Sequence, residues 1–205
     1  ATVIGVPLGV LAGIREGGRL DALIQTFNLV GLSAPVFWVG LMLLVGASAV
    51  LGWSPPFAYM SPTENLADNL SIVILPVLSL ALLQAAAYSH FVRDCMVAEL
   101  RRDYIRAAVA KGLPPSQIYF KHALRNILIP LTTFMGLILI QILGGTVVIE
   151  SLFSLPGLGR LILSGIQGRD YPVVQGALLF VVLIAITINL VVDLLYGWID
   201  PRLKP

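Results

Sequence analysis

Five apolar stretches divide the chain, separated by segments rich in charge, Pro, Gly, Ser and Asn. The first runs from the start to about Ile14, and the others cover roughly residues 29–51, 72–91, 127–149 and 173–195. As helices, the last four are each long enough to cross about 30 Å of hydrocarbon. The first would rise only about 21 Å, so the chain is expected to begin inside a transmembrane helix with further residues upstream. A closed barrel would need alternating segments of about ten residues, and the pattern contains none. The expectation is an all-α integral membrane protein: a polytopic bundle with five spans, the first truncated, forming a single domain over residues 1–205.

Composition agrees with the pattern. Hydrophobic residues make up 58% of the chain, charged residues 12%, and mean hydropathy is +0.92. Soluble domains run at about 45–50% apolar and about 25% charged, so this chain lacks the polar coat that water requires. A net charge of +2 gives no support to a nucleic-acid partner. The single cysteine, Cys95, excludes an intrachain disulfide, and no Cys/His cluster surrounds it.

Charge placement says more than its sum. Arg15, Arg19, Arg93, Arg101, Arg102, Arg106, Lys111, Lys121, Arg125, Arg202 and Lys204 are eleven of the thirteen basic residues. All lie in one alternating set of connections: residues 15–28, 92–126 and the tail after Leu195. The other set, residues 52–71 and 150–172, holds only Arg160 and Arg169. Basic residues collect on the cytoplasmic side, which predicts a cytoplasmic C-terminus. Of the two outer segments, residues 52–71 read as irregular chain, with Ser54-Pro55-Pro56 and Ser61-Pro62. Residues 150–172 are more apolar. Pro156-Gly157 breaks them, and about ten helical residues can follow, as a re-entrant or interfacial segment or as a surface helix packed on the bundle.

Residues 99–130 stand out as polar and basic within an apolar chain. Residues 99–111 contain good helix formers and no breaker, and Gly112 stands where a left-handed residue ends a helix. Pro114-Pro115 enforces a break, after which a second helix can run into the next apolar stretch. Tyr104, Ile105, Ala108 and Val109 share helical spacing and form a narrow apolar strip. Ala107, Ala108 and Ala110 keep the surface thin enough for another protein to approach closely. Spacing alone leaves open whether the strip docks a partner or folds against its own bundle.

The same stretch resembles the cytoplasmic loop of permease subunits of binding-protein-dependent ABC importers. Their general pattern is Glu-Ala-Ala, three residues, Gly, then Ile-x-Leu-Pro. Arg106-Ala107-Ala108 with Gly112 matches its first half, with Arg replacing Glu, while His122-Ala123-Leu124-Arg125 departs from the second. Both departures are similar to the peptide/nickel branch, in which Asp-Tyr-x-Arg-x-Ala-x-Ala-Lys-Gly precedes His-Ala-Leu-Arg-Asn. Asp103-Tyr104-Ile105-Arg106-Ala107-Ala108-Val109-Ala110-Lys111-Gly112 and His122-Ala123-Leu124-Arg125-Asn126 fit that form. Gly5-Val6-Pro7-Leu8-Gly9, Pro35-Val36-Phe37-Trp38, Leu155-Pro156-Gly157-Leu158-Gly159-Arg160, Arg169-Asp170-Tyr171-Pro172 and Asp200-Pro201-Arg202 continue the likeness along the chain in the family's order.

The resemblance implies a type I importer permease fold in a bacterial or archaeal cytoplasmic membrane. It also implies a second homologous permease subunit, two cytoplasmic ATPase subunits and an external substrate-binding protein. ATP and Mg would bind the ATPases, with no cofactor on this chain. Residues 103–112 would be the coupling helix, with Tyr104, Ile105, Ala107 and Ala108 as contacts and Gly112 as the turn that aims it. Asp103, Arg106 and Lys111 belong to the same helix, and His122, Arg125 and Asn126 would hold the loop together. The solute would be a di- or oligopeptide or a related small molecule.

The residues themselves offer no catalytic chemistry. Gly-x-Ser-x-Gly is absent, and Lys111, Lys121 and Lys204 lack a phosphate-binding loop around them. Polar residues in spans are candidates for the pathway or for contacts between helices. Gln84 and Gln141 are expected to line the pathway or pack between helices, Asn189 and Asp193 to bond a neighbouring helix, and Gly144-Gly145 to mark a close helix contact. A secondary transporter or channel subunit is the alternative. Such carriers place ionisable groups at mid-membrane, whereas Glu150 and Asp193 lie near span ends.

Overall fold

The computed structural model describes residues 1–56 and 59–199; Asp200, Pro201, Arg202 and Lys204 lie outside them. Among the described residues every regular element is helical. In chain order these are α1 (Thr2–Ile14), α2 (Arg19–Ser33), α3 (Val36–Leu51), α4 (Leu66–Leu100), α5 (Asp103–Ala110), a π-helical segment (Gln117–Ala123), α6 (Leu124–Gly145), α7 (Val147–Leu152), α8 (Leu158–Gln167) and α9 (Tyr171–Ile199). A helix satisfies its own backbone, which lipid demands.

Five spans with the first truncated were expected, and the described residues give three or four full crossings beside a shorter apolar helix. Three helical stretches are long and apolar enough to cross a membrane: Leu66–Leu100, Gln117–Gly144 and Tyr171–Leu195. A fourth exists if α2 and α3 together make one bent span. The apolar stretch 29–51 is therefore not one helix. Pro35 forces the residue before it out of helical geometry, so α2 stops at Ser33 and α3 starts at Val36. At 13 residues α1 falls short of a full crossing.

The chain divides into two compact units. One comprises Ala1–Ser33, Leu82–Gly136 and the end of α9 from Val192. Its centre is the second half of α4. Gly5, Gly9 and Gly13 form a stripe on α1 that lies against Ala85, Tyr88, Ser89, Val92 and Met96. A Cβ on residue 9 would stand 2.5 Å from the Ser89 carbonyl oxygen and 2.7 Å from Val92 Cβ, so the backbones approach as closely as glycine allows. On α6, Phe134 stacks on Phe91 at 4.2 Å and meets Tyr88 edge-on at 5.6 Å.

The other unit comprises Ala34–Ala81 and Leu137–Val191. Here Gly40 of α3 packs on Ile149, Leu152 and Phe153 of α7 and its cap, and Gly159 of α8 packs on Val147. The expected helix after Pro156-Gly157 is α8, ten residues long.

Replacing Gly9 by Ala should lower stability by about 1–3 kcal/mol, because the added methyl overpacks the α1–α4 contact. Gly46→Ala is the control: nothing lies within 4 Å of a Cβ there, and alanine favours helix by up to about 1 kcal/mol. Thermal melting in detergent should separate the two variants in opposite directions.

Candidate functional site

The polar loop folds into a tight elbow. A single helix over residues 99–111 was expected, but α4 carries Glu99 and Leu100, and the chain turns at Arg101-Arg102. Arg102 adopts extended geometry as the N-cap of α5. Two charged residues with long side chains can leave a helix where solvent is at hand, and composition gives little warning of it. At the far end Gly112 has φ +75°, the left-handed turn expected there. The Leu113 amide donates to the Ala108 carbonyl at 3.3 Å, closing the helix end. Beyond Pro114-Pro115 the chain re-enters helix as the π segment, whose Leu124 amide donates to the Tyr119 carbonyl five residues back.

Inside the elbow lies a small core. Ile105, Ala108 and Ile118 are buried, with Leu100, Leu113 and Tyr119 packed against them. Two of the four residues expected to contact a partner, Ile105 and Ala108, thus face inward. Spacing put them on one strip with Tyr104 and Val109, and the strip is divided: its centre meets the π segment and its edges stay outside. The outward surface is Asp103, Arg106, Ala107, Val109, Ala110, Lys111 and Gly112, all exposed. Arg106 pairs with Asp103 across one turn at 3.3 Å.

Behind this surface Glu99 is 6% exposed. Its Oε1 accepts the Tyr104 hydroxyl at 2.6 Å and the Asn126 amide at 2.9 Å, and its Oε2 meets Arg102 Nε at 2.9 Å. Asn126 also donates to the Tyr104 hydroxyl oxygen at 2.8 Å. Desolvation first, and the Glu99 carboxylate second, push the Tyr104 hydroxyl up to about 12 from its ordinary 10. Tyr104 therefore remains a donor throughout the physiological range. Of the residues expected to hold the loop, Asn126 does so directly. His122 is half-buried in the π segment, and Arg125 is exposed.

A second polar contact lies less than two turns away on the same helix. Arg93 of α4 grips Asp21 of α2 through both ends of its guanidinium, Nε to Oδ1 at 2.7 Å and Nη2 to Oδ2 at 2.8 Å. The Gly17 amide donates to Asp21 as well, at 2.9 Å. Asp21 is buried and Arg93 nearly so, which makes this a desolvated two-pronged pair rather than a surface contact. Sequence reading missed it: the partners are 72 residues apart, and each sits in a segment with other charges. Arg101 pairs with Glu16, tying the α1–α2 turn to the end of α4.

The remaining candidates are less engaged. Gln84 is half-buried on α4, Gln141 is exposed on α6, and Asn189 and Asp193 are exposed on α9. The bond expected from the last two to a neighbouring helix is not among the hydrogen bonds of the described residues. A Cβ on Gly144 would meet nothing within 4 Å among the described residues, so the close helix contact expected at Gly144-Gly145 is not seen at Gly144; the surroundings of Gly145 lie outside what is described. In the second unit the Glu150 carboxylate accepts the Arg160 amide at 2.8 Å and lies against Gly157, capping the start of α8. Beside it Pro156, Gly157, Leu158, Arg160, Leu161 and Ser164 line an open cleft of about 490 Å³. Among the described residues no group of three or more His, Cys, Asp or Glu gathers as metal ligands would.

A helical protein with at least three stretches long and apolar enough to cross a membrane, carrying a basic, self-folded elbow between two of them, has the architecture of a multi-pass membrane protein. The chain belongs to the family of binding-protein-dependent transport system inner membrane components, whose family pattern matches residues 5–205. It is 37% identical over 224 residues to the di/tripeptide transport system permease protein DppB of Pseudomonas aeruginosa, covering all of this chain and 67% of that protein. It is 37% identical over 206 residues to the oligopeptide transport system permease protein AppB of Bacillus subtilis, covering all of this chain and 65% of that one. Identity to the dipeptide transport system permease protein DppB of Escherichia coli is 36% over 227 residues, with 67% of that protein covered. The chain thus spans about two thirds of the length of these relatives.

The inward and outward faces of α5 should respond differently to truncation. Ile105→Ala should loosen the elbow by about 2–4 kcal/mol, seen as faster amide hydrogen exchange over residues 103–118. Val109→Ala, at a side chain 59% exposed, should leave that exchange unchanged.

Proposed function

We propose that the chain forms half of the solute pathway of an ATP-driven importer for di- or oligopeptides or a related small solute. The observation that carries this reading is the family match over residues 5–205, joined to likeness along the whole chain to permease proteins named for peptide transport. The matches favour it over a secondary transporter or channel subunit. ATP hydrolysis falls to two cytoplasmic partner subunits, and solute arrives from an external binding protein. A second homologous permease supplies the other half of the pathway.

In this reading the outward surface of α5 enters a groove on an ATPase. Ala107 and Val109 offer a low apolar patch, flanked by Arg106 and Lys111. Ile105 and Ala108 serve by holding α5 at a set angle to the π segment rather than by touching the partner. Closure of the ATPases on ATP then displaces the elbow, and the attached spans follow, so ATP and the loaded binding protein favour different conformations of one pathway. In this reading the elbow lies in the cytoplasm and residues 52–71 outside, which the excess of basic residues at the elbow supports.

In the assembled importer Ala107→Glu should cut peptide uptake at least about tenfold by placing an unpaired charge in the docked surface, while the protein still inserts in the membrane. Uptake equal to the parent's would remove the docking assignment. The topology has its own check, in a Cys95→Ser background. Ser61→Cys should react with an impermeant thiol reagent added outside, and Gln117→Cys only after the membrane is opened; the reverse pattern would invert the orientation.

A further inference from the structure

The elbow reaches its two neighbouring helices through one closed triangle of hydrogen bonds. Its corners are the Glu99 carboxylate at the end of α4, the Tyr104 hydroxyl in the first turn of α5 and the Asn126 amide at the start of α6. Each corner bonds both others, at 2.6, 2.8 and 2.9 Å. Arg102 holds the second oxygen of Glu99, so the carboxylate cannot rotate away from the triangle.

We propose that Glu99, Tyr104 and Asn126 are positioning residues that pass a displacement of α5 to α4 and α6 together. The inference rests on the function proposed above. Its physical ground is directionality. The apolar core of Ile105, Ala108 and Ile118 joins α5 to the π segment by contact that has no preferred direction, and such surfaces can slide. Hydrogen bonds to a buried carboxylate are short, strong and oriented; two of them, closed by the Asn126–Tyr104 bond, fix the side lengths of the figure. Movement of one corner then moves the other two. Tyr104 and Asn126 each supply a single polar group here, and losing either opens the figure.

The test uses the complete importer, with its ATPases, second permease and binding protein, in proteoliposomes. Two quantities are read for each variant: tritiated trialanine imported per ATP hydrolysed, and the stimulation of hydrolysis by the binding protein, which needs no knowledge of the solute. Tyr104→Phe removes one oxygen atom and should lower both about threefold, a larger factor than any change in basal hydrolysis. Glu99→Gln should lower them about tenfold or more, since one carboxylate oxygen becomes an amide nitrogen that must face either Arg102 or the Asn126 amide as donor against donor. The exchange variant Glu99→Gln with Asn126→Asp restores a carboxylate facing an amide, and should recover most of the coupling. Parent-like values in both single variants would overturn the proposal. So would a loss of basal hydrolysis and coupling in proportion that the exchange does not rescue, because that marks a residue serving only the fold. A parent importer that neither takes up peptide nor responds to the binding protein would instead bring down the functional reading, and the triangle's role with it.

Discussion

Helices bathed in hydrocarbon gain little by exchanging a lipid contact for a leucine contact, so their packing depends on close backbone approach and on a few polar bonds. The first unit is organised around that constraint. Its central post is the second half of α4, which α1, α2 and α5 meet by one of those two means and α6 meets by stacked aromatic rings as well. The glycine stripe of α1 lies on it from Ala85 to Met96. Asp21 of α2 is gripped by Arg93. Phe134 of α6 stacks on Phe91, and α5 hangs from Glu99.

Such a post also explains why the elbow is self-folded. A short helix of eight residues has no stability of its own in water. It persists because Ile105 and Ala108 bury against Ile118 on one side and Tyr104 reaches Glu99 on the other. What remains outside is a thin surface of small and charged residues. The residues most suggestive of docking in the sequence, the β-branched Ile105 and the small Ala108, are the ones that the loop needs for itself.

Much of this was legible in the chain. Long apolar runs marked α4, α6 and α9, and Gly112 and Pro156-Gly157 marked two helix boundaries at which the structure turns. The misses have physical causes. Hydropathy is blind to a break such as Ser33–Pro35, where apolar residues continue across it. A helical wheel cannot say which edge of a strip is inside when two helices share it, as with Ile105 and Val109. Pairings across long separation, Asp21 with Arg93 and Glu99 with Asn126, leave no local trace at all. Asn126 was singled out only because its motif resembled a family's, and the reason for its presence appears once Glu99 is seen beneath it.

The π segment has a consequence for how this chain can change length. A π turn holds more residues than an α turn, so Gln117–Ala123 stores slack that an α-helix would not contain. Removal of one residue there could be absorbed by tightening to α geometry, leaving Asn126 and Phe134 at their places. The same deletion within α6, below Leu124, would rotate everything beyond it by about 100° and part Phe134 from Phe91. Single-residue deletions near the elbow are thus best absorbed, by geometry, in the turn that has a residue to spare.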